Sequence, residues 1–515
     1  MNGSATPAPQ AAAPPPGFQR QLSLFDATML VAGTMIGSGI FIVSADIARD
    51  VGSAGWLMAV WLLTGAMTLM GALCYAELAA MMPQAGGQYV FLREAYSPLW
   101  GFLYGWTVFL VIQTGSIAAV AVAFAKFLGV LVPELGTDHI LFRAEGKLVL
   151  TLPGMSEPFF QRDAFTISAG QLVAVVVVVL LTLLNCRGVR AGTWVQNVFT
   201  VAKTLALVVL IVLGLTVAAN PQAIAANTAD LWGGITTTPR FQTMDRLLDA
   251  SDALVALMVA GGAMVGALFA ADAWNNVTFV AGEVKDPRRT LAWSLVLGAG
   301  LVIGLYLLAN LAYLAALPVQ GDPAGETPFA RGIAHARDDR VGTVVLELAA
   351  PRLGVPFMAV AIMISTFGCV NGMILMGARL YYAMAQDNLF FRAVGRLNRR
   401  GVPAAGLLLQ GAWSILLIFS GTYSELLDYV IFAVLLFYVL TVAGLFVLRS
   451  TRPDAERPYR VFGYPVVPGL YVLLCAAIMI DLLIVRPLYT WPGLILVLAG
   501  IPVYFLWRRS ARRAA

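Results

Sequence analysis

Ala32-Gly33-Thr34-Met35-Ile36-Gly37-Ser38-Gly39-Ile40-Phe41 stands inside an apolar run that begins near Leu24. Two of its last five residues are glycines, at positions 37 and 39, with Ser38 between them. Glycine weakens a helix interior. In a bilayer no water replaces a lost backbone hydrogen bond, so a break survives only where it faces protein or a water-filled cavity. Taken alone, the stretch has two readings. It is either a helix kept slim by small residues for close packing, or a helix broken at mid-membrane.

Composition sets the context. The chain has 515 residues, 59% apolar and 12% charged. An ordinary soluble domain is about 45–50% apolar and about 25% charged, so an ordinary soluble enzyme and a disordered chain are excluded. The net charge of +5 is spread between apolar runs rather than gathered in a stripe, which argues against nucleic-acid binding. A membrane β-barrel would alternate over segments of about ten residues. Here the runs are continuous, as in Leu172–Leu184 and Leu205–Ala218. The fold class is an all-α polytopic membrane protein.

About twelve spans of roughly twenty residues fit the sequence. Their limits are near 24–49, 55–82, 99–132, 168–186, 192–218, 250–282, 290–317, 353–386, 403–421, 425–449, 465–485 and 489–507. Residues 1–21 open with an Ala/Pro-rich stretch that reads as a disordered tail without a cleavable signal. Arg187 and Arg190, Lys285 to Arg289, Arg392 to Arg400, Arg449 to Arg460 and Arg508 to Arg513 follow even-numbered spans. The positive-inside rule puts these loops, and both termini, in the cytoplasm. The opposite loops, near 133–167, 219–249 and 318–352, are longer, mix both charges, and are expected to carry short helices.

The sixth span decides between the two readings of the first. Gly266-Ala267-Leu268-Phe269-Ala270-Ala271-Asp272-Ala273-Trp274-Asn275-Asn276 carries an acid, a tryptophan and two asparagines in mid-span. It lies five spans after the first and therefore runs in the opposite direction. Matching interruptions in two inverted halves point to a transporter with its site at the midplane. The second half of span 1 would aim the N–H groups of Gly37, Ser38, Gly39 and Ile40 at an anion. Carbonyls near Ile36, Phe269 and Ala270 would accept from an ammonium. A carboxylate beside an ammonium is the pattern of an α-amino acid.

Two charges lie deep in the membrane. Lys203 is about eleven residues into span 5, roughly 16 Å deep in a core about 30 Å thick. Its stem cannot snorkel that far. It either pairs with buried carbonyls for packing, or sits beside the span 1 break, replacing a sodium ion or exchanging a proton. Asp272 is either a substrate or coupling carboxylate or the N-cap of the second half of span 6. Glu77 and Glu283, near the basic ends of their spans, read as interface or gate residues. Cys74, Cys186, Cys369 and Cys475 fall within or at the ends of apolar runs, so no disulfide framework is expected. His139 and His335 are far apart, and neither a metal site nor a cofactor is indicated.

The sequence resembles the amino acid–polyamine–organocation (APC) superfamily, within it the L-amino-acid transporter (LAT)-like group, from about Leu22 to the end of span 12. The resemblance rests on Gly33–Phe41, Val195–Leu205, Phe269–Asn275 running into Gly282–Arg289, Thr366–Arg379 and Glu456–Val461. It implies ten core helices in two inverted repeats of five, near 22–218 and 219–450, with two further helices in 451–515. It implies that Ile36, Ser38, Gly39 and Phe269 hold the substrate backbone, with Trp274 nearby, and that Lys203 stands where sodium-coupled relatives hold an ion. Asp272 matches an acidic position of bacterial members, where animal members often have glycine. Animal members bond to a heavy chain through a cysteine between spans 3 and 4. Residues 133–167 hold no cysteine, so the expectation is a chain without a disulfide-linked heavy chain.

The resulting expectation is sodium-independent exchange of L-amino acids, with neutral ones favoured. A proton-coupled symporter and a cationic amino acid or polyamine permease are the alternatives, the latter resting on Asp272. A receptor would need an extra soluble domain, and an enzyme would need a catalytic cluster. Neither feature stands out in the sequence.

Overall fold

The computed structural model describes residues 18–150, 160–248, 250–420, 423–485 and 487–513. Among the described residues, ten helices are long and apolar enough to cross a membrane. A bent pair, Leu24–Met35 and Gly39–Val51, and the shorter apolar helix Ala404–Ser420 fill the other two of the twelve expected places. The expected tail lies outside the described residues up to position 17. Phe18 packs edge-on against Tyr382, with ring centres 4.8 Å apart.

Spans 2, 3, 4 and 5 are Ala54–Met81, Pro98–Leu131, Ala169–Cys186 and Val189–Thr216. Span 6 is Asp252–Glu283, span 7 Pro287–Ala316 and span 8 Gly354–Gln386. Span 9 is Ala404–Ser420, and spans 10 to 12 are Tyr423–Thr451, Val466–Val485 and Pro487–Arg513. Span 1 packs on span 6, span 2 on span 7, span 3 on span 8 and span 4 on span 9. Each of these partners is five places along the chain, the pairing expected of two inverted halves facing each other.

Of the three long loops, those after spans 5 and 7 carry short helices, among them Pro221–Ala229, Pro239–Leu248 and Val341–Ala349. The loop after span 3 departs from the all-helical expectation. After one short turn, Pro133–Leu135, it forms an antiparallel hairpin of β1, Ile140–Leu150, and β2, Phe160–Ser168. The physical reason is local. Around the strand partners Phe142↔Ile167 and Ala144↔Phe165 the segment alternates and is rich in aromatic and β-branched residues, which suits a pleated ribbon better than a helix. A register shift between Glu145 and Leu148 accommodates Gly146.

The basic side is tied shut by buried ion pairs. Glu283 and Arg379 lie 3.1 Å apart and are each only 1% exposed. The backbone N–H groups of Gln21 and Leu22 donate to Glu283 O, and Lys285 N–H donates to Leu22 O, so the chain before span 1 is stitched to the end of span 6. Arg449 of span 10 grips Glu77 of span 2 with two hydrogen bonds of 2.9 and 2.6 Å. Val461 N–H adds a third to the same carboxylate at 2.7 Å. Both acids therefore join elements that are distant in sequence.

Removing one partner of a buried pair strands the other charge, at about 3–5 kcal/mol. Arg379→Ala is expected to lower the thermal unfolding midpoint markedly in detergent, and Glu283→Gln/Arg379→Leu to recover part of the loss. An unchanged midpoint in Arg379→Ala would contradict this account of the closed face.

Candidate functional site

Both central helices are broken where the sequence suggests. The two halves of span 1 meet at an angle of 41°, and residues 36–38 are non-helical. The first half of span 6 ends at Ala270. Ala273 follows in the left-handed region at φ +67°, a conformation that costs a non-glycine residue roughly 1–2 kcal/mol. The second half, Trp274–Glu283, is a 3₁₀ helix rather than an α-helix.

Breaking a helix orphans carbonyls, and side chains from three other spans meet them. Lys203, 1% exposed, donates to Gly33 O at 2.5 Å, Ile36 O at 2.7 Å and Ser365 O at 3.2 Å. Ser365 of span 8 donates to Ile36 O at 2.9 Å and lies 3.0 Å from Gly37 O. Cys369 Sγ lies 3.0 Å from Thr34 O. The Tyr306 hydroxyl of span 7 lies 2.9 Å from Met35 O and 3.1 Å from Ala270 O. Thr34 Oγ1 reaches Ala273 O at 3.3 Å.

The carbonyl of Ile36 thus accepts from both an ammonium and a hydroxyl, which uses its two lone pairs. The carbonyl of Phe269 accepts from Asp272 N–H at 3.2 Å. On the other side of the break, Gly39 and Ile40 begin the helix Gly39–Val51, and their N–H groups are among the first four, which have no partner within a helix. Gly39 is pressed against the other break. A methyl built there would lie 2.6 Å from Ala270 Cβ, whereas one on Gly37 would meet only Cys369 Sγ at 3.7 Å.

Asp272 is not the N-cap of the second half of span 6. The residue preceding the 3₁₀ turn is Ala273, which caps nothing with its side chain. The Asp272 carboxylate accepts from the Tyr438 hydroxyl of span 10 at 2.5 Å and from the Ala273 N–H. Tyr438 also lies 3.3 Å from Asn275 Oδ1. The Asp272–Tyr438 pair borders two small cavities of about 20 Å³ each. One is polar, with Gln113, Asn276, Tyr104 and Met373 in its wall. The other is more apolar and includes Trp274, Leu268 and Tyr471. Each has room for about one water molecule.

Span 3 carries a π-helical turn, Val108–Ile112, whose Val108 and Ile112 line the first of these cavities. Gln113, just after the turn, donates to Met373 O at 2.8 Å and accepts from Asn276 at 3.3 Å, tying spans 3, 8 and 6 together. Trp274 is buried in an aromatic cluster, 4.8 Å from the Tyr75 ring and 5.3 Å from that of Tyr438.

Ser365, Cys369, Tyr306, Gln113 and Tyr438 are the residues that reading the sequence missed. Their one signal was polarity within apolar spans, a signal shared with many residues that merely bond to their own helix. Thr107 and Ser116 are two such, donating to Leu103 O and Ile112 O.

An inverted bundle crossed by two opposed broken helices is the architecture of a secondary transporter. Residues 22–506 match the amino acid permease family, and the chain belongs to that family. It is a multi-pass membrane transporter of amino acids, not an enzyme. It is 31% identical to the large neutral amino acids transporter small subunit 2 of Mus musculus over 490 residues, 95% of this chain and 81% of that one. It is 30% identical to the Homo sapiens protein of the same name, with 95% and 80% covered. It is 28% identical to the b(0,+)-type amino acid transporter 1 of Mus musculus, with 95% and 88% covered.

These relatives correct one expectation. Two of them are named small subunits, so proteins similar to this chain belong to assemblies with a further subunit. The expectation of a chain without a disulfide-linked heavy chain is overturned. Its reasoning was too narrow: a cysteine missing from residues 133–167 removes one thiol from one loop.

The packing of Gly39 generates a prediction. Gly39→Ala should lower thermal stability and transport together, because it forces the two breaks apart. Gly37→Ala should fold as well as the parent protein. Equal unfolding midpoints for the two variants in detergent would rule out the close contact.

Proposed function

We propose that this chain exchanges L-amino acids across the plasma (inner) membrane by alternating access, without sodium, with both termini in the cytoplasm. The observation that carries the proposal is the ammonium of Lys203 on the carbonyls of Gly33 and Ile36. A positive charge fixed against the broken helix does the work of a bound cation there and would repel a second one.

In this reading the substrate carboxylate docks on the N–H groups around Gly37, Ser38, Gly39 and Ile40. Its ammonium lies toward the carbonyls at the end of the first half of span 6, Phe269 and Ala270. Ile36 serves mainly by holding Lys203. The side chain enters the region of the two cavities, with Trp274 on the apolar side. Asp272 and Tyr438 part to merge them, since neither cavity alone accepts an amino acid. The first repeat (22–218) moves against the second (219–450) about this site. Because Lys203 bonds to two carbonyls of span 1 and to Ser365 O of span 8, span 1 is locked in the empty protein. The empty carrier therefore returns slowly, and exchange outruns net uptake.

One observation supports a second reading. Asp272 is a carboxylate at the border of a polar cavity, which suits a cationic side chain. A relative at 28% identity carries the name b(0,+)-type amino acid transporter. Substrate competition with arginine and lysine beside leucine and glutamine separates the two readings.

Four measurements in proteoliposomes test the proposal. Amino acid esters and N-acetylated amino acids should compete poorly, since each lacks one charge of the backbone; full competition by both would remove the proposed backbone site. Replacing sodium with choline at fixed pH should leave uptake unchanged. Lys203→Ala should sharply reduce exchange while the protein remains folded. Robust uptake into vesicles empty of amino acid, driven only by an inward proton gradient, would instead identify a proton-coupled carrier.

A further inference from the structure

The roomiest polar cavity described lies away from the helix breaks. It has a volume of about 350 Å³ and sits between the end of span 3, the turn before β1, the segment before Val341–Ala349 and the start of span 8. That is the face opposite the basic loops. Pockets for small ligands begin at about 300 Å³.

Its wall carries both signs of charge. Lys126, Arg337 and Arg340 face Asp138, Asp338 and Glu347. A purely anionic or purely cationic ligand would be opposed by half of this lining. Two hydrogen-bond donors there have no acceptor. Thr343 Oγ1 is buried without a partner, on a side chain only 7% exposed. Arg340 Nε is also buried without a partner. The Arg340 guanidinium is oriented by the Phe127 ring, 5.3 Å from its centre, and its ion pair with Asp338 is loose at 3.6 Å. Asp339, the neighbour of Asp338, is engaged by Arg49 at 2.7 Å. Arg340 and Thr343 both line the cavity, and a guanidinium N–H and a hydroxyl without acceptors match the two oxygens of a carboxylate.

We propose that this cavity is a second binding site for a small zwitterion, an amino acid, held separately from the helix breaks. The carboxylate takes Arg340 and Thr343, and the ammonium takes Asp138 and Glu347. The site does not depend on where the transported molecule binds between spans 1 and 6.

The test is thiol protection on the full chain in nanodiscs. Val355→Cys puts a thiol on the cavity wall, and its modification by a small methanethiosulfonate is timed with saturating L-leucine, L-arginine, acetate or ethylamine. The two amino acids should slow modification severalfold; acetate and ethylamine, each with one charge, should not. Adding Arg340→Gln and Thr343→Val should abolish the protection, while Arg340→Lys and Thr343→Ser retain part of it. Equal rates with and without amino acid would overturn the site, and so would protection that survives Arg340→Gln/Thr343→Val. Exchange is measured on the same preparations. Its failure would count against the transport mechanism, and an absence of protection in Val355→Cys alone would count against the cavity.

Discussion

One ammonium holds the central break together. Gly33 and Ile36 lose helical partners for their carbonyls because the chain turns aside at Gly37, and no water is at hand in a bilayer to replace them. Lys203 reaches both from span 5 and takes Ser365 O as well. A buried charge is costly unless it is surrounded by oxygens, and broken helices are where unpaired oxygens are found. Each defect thus satisfies the other, and the site can exist only because spans 1, 5 and 8 converge on it.

The bundle was legible because its signals are long and repeated. Runs of about twenty apolar residues survive any local ambiguity, and the arginines fall at regular places between them. The breaks were legible for a related reason: polar and flexible residues are conspicuous against an apolar background, and two such interruptions five spans apart reinforce each other. The loop after span 3 was harder. Its alternation around Phe142 and Phe165 is short and interrupted by Gly146, and it was overshadowed by the helical character of everything around it.

The pocket was legible on only one side. Backbone groups follow from where a helix stops, so Gly39 and Phe269 could be located from sequence. The side chains opposite them depend on the rotation of each surrounding span, which periodicity does not fix in helices that are apolar all round. Tyr438 and Gln113 became visible only once spans 10 and 3 were placed beside Asp272 and Asn276. The role of Asp272 shows the same limit. A carboxylate at a helix start suggests a cap, and only tertiary packing reveals that a phenol from a distant span claims it.

Tyr306 has a consequence of its own. Its hydroxyl carries a single hydrogen yet stands within reach of an acceptor on each broken helix, Met35 O and Ala270 O. A proton turned toward one carbonyl is withdrawn from the other. Span 7 thus offers one hydrogen, turned by rotation about the phenol C–O bond, to two carbonyls, and the two halves of the carrier share it between them.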